Sequence, residues 1–249
     1  MRGDRRAEQS GDDENGAPCV SPALHVAQCT ICLIARDVFI TGATGYIGQR
    51  LTAALVARSH RVRALARPGS VSRIAAGAAT VVGDALDAST FASALTEADT
   101  IVHLVGTPHP SPAKAAEFQR VDLPSILASV EAARRAQAAH LVYVSVAHPA
   151  PVMHEYIESR SAGERAIADA GLTATILRPW YVLGRGHRWP YLLLPLYAAA
   201  RLIPSKRETA MRLGLVTLGQ MVTALVRAVE NPPPTGSIRI IDVPAIRGS

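Results

Sequence analysis

Lysine, asparagine, cysteine and aromatic residues are all scarce in this chain, and each scarcity removes a class of function. Lys114 and Lys206 are the only lysines, so the formal net charge of +6 is carried almost wholly by arginine. No basic run interleaved with stacking aromatics accompanies that charge, which argues against nucleic acid as a partner. Cys19, Cys29 and Cys32 are the only cysteines. The core beyond Cys32 holds none, which points to a cytoplasmic protein. Cys29 and Cys32 have CxxC spacing, but a metal site needs further ligands and His25 alone leaves the set incomplete, so no metal is expected. The apolar stretch from Leu192 to Ile203 is broken by Pro195 and carries Arg201, and it is too short to span a bilayer. No internal repeat is visible.

Nearly half of the 249 residues are apolar, enough for a sizeable core and one α/β domain. Residues 1–35 differ from the rest. Arg2 to Gly16 are polar, carry charges of both signs and include hardly any apolar residue, a disordered composition. An export h-region would have to lie in Ala27 to Ala35, where it comes late, is short and runs into the first strand, so no export is expected.

The chain is organised around Asp37 to Leu51, DVFITGATGYIGQRL. Val38, Phe39 and Ile40 are a short β-prone run, glycines follow at Gly42, Gly45 and Gly48, and a helical pattern opens toward Leu51, Leu55 and Val56. A strand, a tight turn and a helix start in this order suit a pyrophosphate. Gly42 permits the exit from the strand, Gly45 lets the backbone approach the anion, Gly48 lets the helix pack on the sheet, and the helix N-terminus offers free N–H groups.

Strand and helix then alternate. Strands are expected at Arg61 to Ala66, Ala79 to Val82, Thr100 to Val105, Leu141 to Val146 and Thr173 to Leu177. Long helices are expected over Ala113 to Gln137, bent at Pro124, and over Ile157 to Ala170. This order dictates a doubly wound parallel sheet, a Rossmann fold, with right-handed crossovers and a crevice at the carboxyl ends of the strands. A fold that selects NAD places an acid near the end of the second strand, whereas an arginine there suits a 2′-phosphate. Here Arg67 stands with no acid beside it; a solvated arginine at a strand end is the alternative.

TGATGYIG with its flanking strand and helix, Val82-Gly83-Asp84, Tyr143-Val144-Ser145, Tyr156 to Glu164, and Arg178-Pro179 through Gly184 together resemble the extended and atypical short-chain dehydrogenase/reductases, including the NmrA-like and epimerase-like branches. The resemblance runs from Asp37 to about Val243. It implies Gly42, Ala43, Thr44, Gly45, Tyr46, Ile47 and Gly48 around the pyrophosphate and Arg67 on the 2′-phosphate; with no acid beside Arg67, NADP(H) is expected in preference to NAD(H), and NAD(H) stays possible. It implies Asp84 and Ala85 at the adenine, Leu104, Val105 and Gly106 along the ribose, and Pro179 to Val182 near the nicotinamide.

The family mechanism uses a tyrosine as proton donor or acceptor, a lysine four residues on, and a serine that polarises the substrate oxygen. Tyr156 and Ser145 match; the lysine position is Arg160. A guanidinium can hydrogen-bond a ribose but is permanently charged and cannot relay a proton as lysine can. Glu164, one turn further, is expected to pair with Arg160. The family's helix asparagine is missing, since Asn15 and Asn231 are the only asparagines. Tyr156 as an ordinary helix-face aromatic, and His148 as a loop residue or a base, stay open.

After Gly184 the chain changes character. Trp180, Tyr181, Trp189 and Tyr191 cluster, and Arg185, Arg188, Arg201, Lys206, Arg207 and Arg212 flank the apolar stretch. A helix packed over the crevice is preferred here to an apolar substrate lid or a peripheral membrane contact through 189–207. Leu218 to Val229 reads as an amphipathic helix and Ser237 to Val243 as a last strand. The expected division is a leader over 1–35, a dinucleotide-binding core over 36–179, and a small C-terminal α/β addition over 180–249 on the substrate side, integral to the same domain. The leading function is NADPH-dependent reduction of a small, partly apolar carbonyl compound. The alternatives are a nucleotide-sugar epimerase or dehydratase and a non-catalytic NADP(H)-sensing or assembly protein.

Overall fold

In the computed structural model the described residues are 35–95, 100–184 and 211–249. The leader up to residue 34, its cysteines, and the apolar stretch within 185–210 lie outside the described residues.

Strand β1 (Asp37–Thr41) is followed by helix α1 (Tyr46–Ala57), β2 (Arg61–Ala66), β3 (Ala79–Val82) and β4 (Thr100–His103). A single turn α2 (Ala115–Glu117) runs through a π-turn (Phe118–Asp122) into α3 (Leu123–Arg135). Next come β5 (His140–Val144), α4 (His154–Asp169), β6 (Ala174–Arg178) and β7 (Tyr181–Leu183), then β8 (Leu215–Thr217), α5 (Leu218–Glu230), β9 (Ile238–Asp242) and α6 (Val243–Arg247). The seven-stranded sheet has the order β3-β2-β1-β4-β5-β6-β9, parallel throughout. β7 and β8 form a separate parallel pair.

Alternation along the strands builds two core layers. Val38 and Ile40 of β1 join Leu51 and Leu55 of α1 and Met221 and Leu225 of α5 on one face. Phe39, between them, joins Ile126 of α3 and Ile167 of α4 on the other. Helices on both faces make the sheet doubly wound, as the sequence pattern requires. The strand order reverses between β1 and β4, and that switch point opens the crevice at their carboxyl ends.

Several features differ from the sequence reading. β4 ends at His103, which leaves Leu104 to Gly106 as a loop at the crevice. The long helix is interrupted by the π-turn just ahead of Pro124, and the proline sits at the start of α3, where its missing N–H costs nothing. β9 returns to the main sheet beside β6, so the C-terminal part completes the sheet as well as adding to it.

Candidate cofactor and active site

The glycine turn excludes a side chain in two places and crowds one in a third. A Cβ on Gly42, whose φ is +75°, would lie 2.7 Å from the Leu104 carbonyl carbon, and one on Gly48 would lie 2.2 Å from the Gly42 carbonyl oxygen. A Cβ on Gly45 would meet only the Gly42 oxygen, at 3.2 Å. Gly42 and Gly48 therefore hold β1, the loop after β4 and α1 close together, and at Gly45 the crowding comes from the turn's own Gly42 carbonyl. Gly45 is also the N-cap of α1, with no side-chain cap and no acid in the first turn. Helix-end N–H groups left in this state suit an anion, so the cradle fits a dinucleotide pyrophosphate. Ala43 is fully buried in the core.

Arg67 is exposed at the end of β2, where it starts a short 3₁₀ turn (Pro68–Arg73). Asp84 is exposed after β3, its carboxylate accepting from the Leu86 N–H at 3.0 Å, and Ala85 is half-buried beside it. Pro179 is buried and its carbonyl accepts from the Ala147 N–H at 2.9 Å; Val182 is half-buried in β7. Trp180 and Tyr181 pack edge to face at 5.6 Å.

Helix α4 carries Tyr156, Arg160 and Glu164 on successive turns. The half-buried Tyr156 ring lies 4.9 Å from the ring of Phe118 and 5.2 Å from the Arg160 guanidinium carbon. Arg160 itself is buried, only 5% exposed. Its Nη2 donates to Asp122 Oδ1 at 2.7 Å, and its Nη1 donates to the carbonyls of Val144 (3.1 Å) and Val105 (3.3 Å). Burial disfavours this charge, but Tyr156, Tyr143 and Asp122 around it outweigh that and hold its pKa above the ordinary arginine value. Tyr143, beneath the same guanidinium, is pushed up to about 12 by burial, which Arg160 opposes.

Glu164 does not pair with Arg160, contrary to the expectation from helical spacing. Its carboxylate accepts from Ser145 Oγ at 2.5 Å and from Arg178 Nε at 3.0 Å, and its other oxygen accepts from Arg178 Nη2. The physical reason is competition: Asp122 takes Arg160 from the π-turn side, and Arg178 at the end of β6 reaches Glu164 with the bidentate geometry a guanidinium favours. His148 Nε2 lies 3.5 Å from the same Glu164 oxygen, which draws this loop residue into the cluster. Ser145, buried at the end of β5, therefore spends its hydroxyl hydrogen inside the protein.

Two residues here had no signal in the sequence. Asp122 is fully buried, and its second oxygen accepts from the Thr107 N–H (3.0 Å) and the Thr107 hydroxyl (2.6 Å). An acid in a helix with no motif around it reads as solvated surface, and only the tertiary fold shows it facing inward.

A parallel sheet in this order with a glycine turn at its switch point defines a dinucleotide-binding protein. Residues 42–187 match the model of the family described as NAD(P)H-binding, and the chain belongs to that family. It is 30% identical over 209 residues to the "Ceramide reductase" of Caulobacter vibrioides, covering 83% of this chain and 64% of that protein. It is 33% identical over 175 residues to the "3-diazoavenalumate denitrifying reductase" of a Streptomyces species, covering 60% of this chain and 57% of that protein. The chain thus spans less than two thirds of the length of either relative. Among solved structures it is similar to MoeE5 in complex with UDP-glucuronic acid and NAD, with a TM-score of 0.62 and 20% identity over 82% of this chain and 75% of that one. The Bordetella bronchiseptica enzyme WbmH in complex with NAD+ gives a TM-score of 0.62 and 20% identity over 84% and 75%. Identities this low establish the shared fold. Among the described residues no helix is long and apolar enough to cross a membrane.

Proposed function

We propose that the protein is an NADPH-dependent reductase of a small, largely apolar carbonyl compound. The observation that carries this reading is Tyr156, half-buried on α4 with a permanent cation 5.2 Å from the centre of its ring. NADPH held at the glycine turn would supply the hydride for the carbonyl carbon. Tyr156 gives its hydroxyl proton to the carbonyl oxygen, and the phenolate left behind faces Arg160 until solvent returns the proton. Ser145 is the second polar group of the site. With its hydrogen on Glu164 it accepts from a substrate or product hydroxyl, and it donates to a substrate oxygen only when that hydrogen leaves Glu164. Arg67, exposed and without a neighbouring acid, supports the choice of NADP(H) over NAD(H).

NADP(H) binding without turnover is the second reading. It is favoured by the commitment of both Ser145 and Arg160 to protein partners. A single comparison separates the two: NADPH oxidation is followed at 340 nm with a panel of apolar aldehydes and ketones, beside calorimetric titration of NADPH and NADH. Carbonyl-dependent oxidation that disappears in Tyr156→Phe supports the reductase. Tight NADPH binding with no oxidation across the panel supports the sensor.

A further inference from the structure

Arg160 stands where the resemblance places a lysine that holds the ribose, and its guanidinium is buried and hydrogen-bonded within the protein. Its three nitrogen-to-oxygen contacts all go to protein: Asp122, Val105 and Val144. The segment between β4 and α2 is gripped from both sides by the Asp122–Arg160 pair. Arg160 holds the Val105 carbonyl, and Asp122 holds the N–H and hydroxyl of Thr107. Gly106, between them, has no room for a side chain because a Cβ there would lie 2.0 Å from Arg160 Nη2. The same Nη1 also ties the Val144 carbonyl, so the ends of β4 and β5 are fixed relative to α4.

We propose that Asp122 and Arg160 form a clamp that shapes the Val105–Thr107 loop into one wall of the cofactor crevice, and that Asp122, Arg160 and Thr107 are positioning residues for the dinucleotide rather than ligands of it. This rests on the reading of Leu104 to Gly106 as cofactor contacts. An ion pair in this position fixes a backbone segment through a carbonyl acceptor at one end and an N–H donor at the other, which neither charge alone achieves. The wall is then preorganised, and the cofactor does not bear the entropy of ordering it. The buried pair is also shielded from water, so its grip does not depend on ionic strength as a surface pair would.

The test is calorimetric titration of NADPH and NADH into the full chain and its variants, at a temperature where melts show each variant folded. Because both dinucleotides are titrated, the cofactor preference is read separately from the effect of each substitution. Asp122→Asn, Thr107→Val and Arg160→Met should each weaken the preferred dinucleotide by roughly tenfold, the scale of one hydrogen bond to a charged group. Thr107→Ser keeps the hydroxyl and should stay within about twofold. The double variant Asp122→Asn/Arg160→Met should bind no worse than its weaker parent, because the two act as a unit. If Arg160→Met weakens binding while Asp122→Asn and Thr107→Val leave it unchanged, Arg160 is a direct ligand and the clamp is overturned. Unchanged affinity in all three single variants, with lowered melting temperatures, would reduce the pair to a structural support and overturn the proposal as well.

Discussion

Gly106→Ala is the most informative single substitution in this protein, because its cost is set by one side chain. Gly106 is not among the glycines with positive φ, so alanine suffers no backbone strain there. All of the penalty comes from the added methyl, which would sit 2.0 Å from Arg160 Nη2, 3.2 Å from Arg160 Cζ and 3.3 Å from Asp122 Oδ1. Non-bonded heavy atoms settle at about 3.5–4.0 Å, so the guanidinium must retreat by more than an ångström. That retreat breaks the 2.7 Å bond to Asp122 and the contacts to Val105 and Val144. Overpacking contributes about 1–3 kcal/mol and the lost charge-assisted bond a similar amount, which together give roughly 2–6 kcal/mol. At about 2–4 °C per kcal/mol for a domain of this size, the melting temperature should fall by roughly 4–24 °C. Circular dichroism melts of four chains measure it: wild type, Gly106→Ala, the Asp122→Asn/Arg160→Met background, and Gly106→Ala in that background. The methyl should be nearly free of cost once the headgroup is gone, a coupling of about 2 kcal/mol or more in the cycle. A Gly106→Ala protein that melts with the wild type, or one equally destabilised in both backgrounds, would refute the reasoning.

Three further outcomes are expected. Burial, aided by Arg160, lowers His103 from 6.5 to about 3, and burial, aided by Arg36 and Arg239, lowers His140 to about 4. Between about pH 4 and 6.5 the unfolded chain therefore binds protons that the folded chain refuses. Stability is full above this window and falls on acidification by up to about 1.4 kcal/mol per pH unit for each histidine. Melts at pH 7.5 and pH 5 check this, and an unchanged melting temperature would show that neither imidazole is held neutral by the fold. Arg67→Asp should reverse the cofactor preference from NADPH to NADH in calorimetry; tighter NADH binding by the wild type would remove Arg67 from the argument. Tyr156→Phe should abolish turnover of any carbonyl substrate while NADPH affinity stays within about threefold, because only the transferable proton is lost. Turnover at the wild-type rate would move the proton to Ser145, His148 or water.

The sheet and its cradle were legible in the sequence because they depend on local chemistry. Val38 to Ile40 followed by Gly42, Gly45 and Gly48 specify a strand, a turn that needs positive φ, and a helix free to approach the sheet, and each step involves residues only a few positions apart. The alternation of apolar runs along the rest of the chain then leaves a parallel sheet as the economical way to bury them. The pairing of charged side chains was not legible. Helical spacing puts Arg160 beside Glu164, and in isolation that pair would form. The tertiary structure instead brings Asp122 from the π-turn and Arg178 from the end of β6, and each offers a better-desolvated or bidentate partner. These contacts span 38 and 14 residues, and no periodicity encodes them. Spacing along a helix fixes which side chains share a face, whereas which of them carry buried charge depends on what the sheet places opposite. Hence the sequence alone determined a dinucleotide fold, and only the packing of three separate elements decided that Arg160 is buried against Asp122 and that Ser145 gives its hydrogen to Glu164.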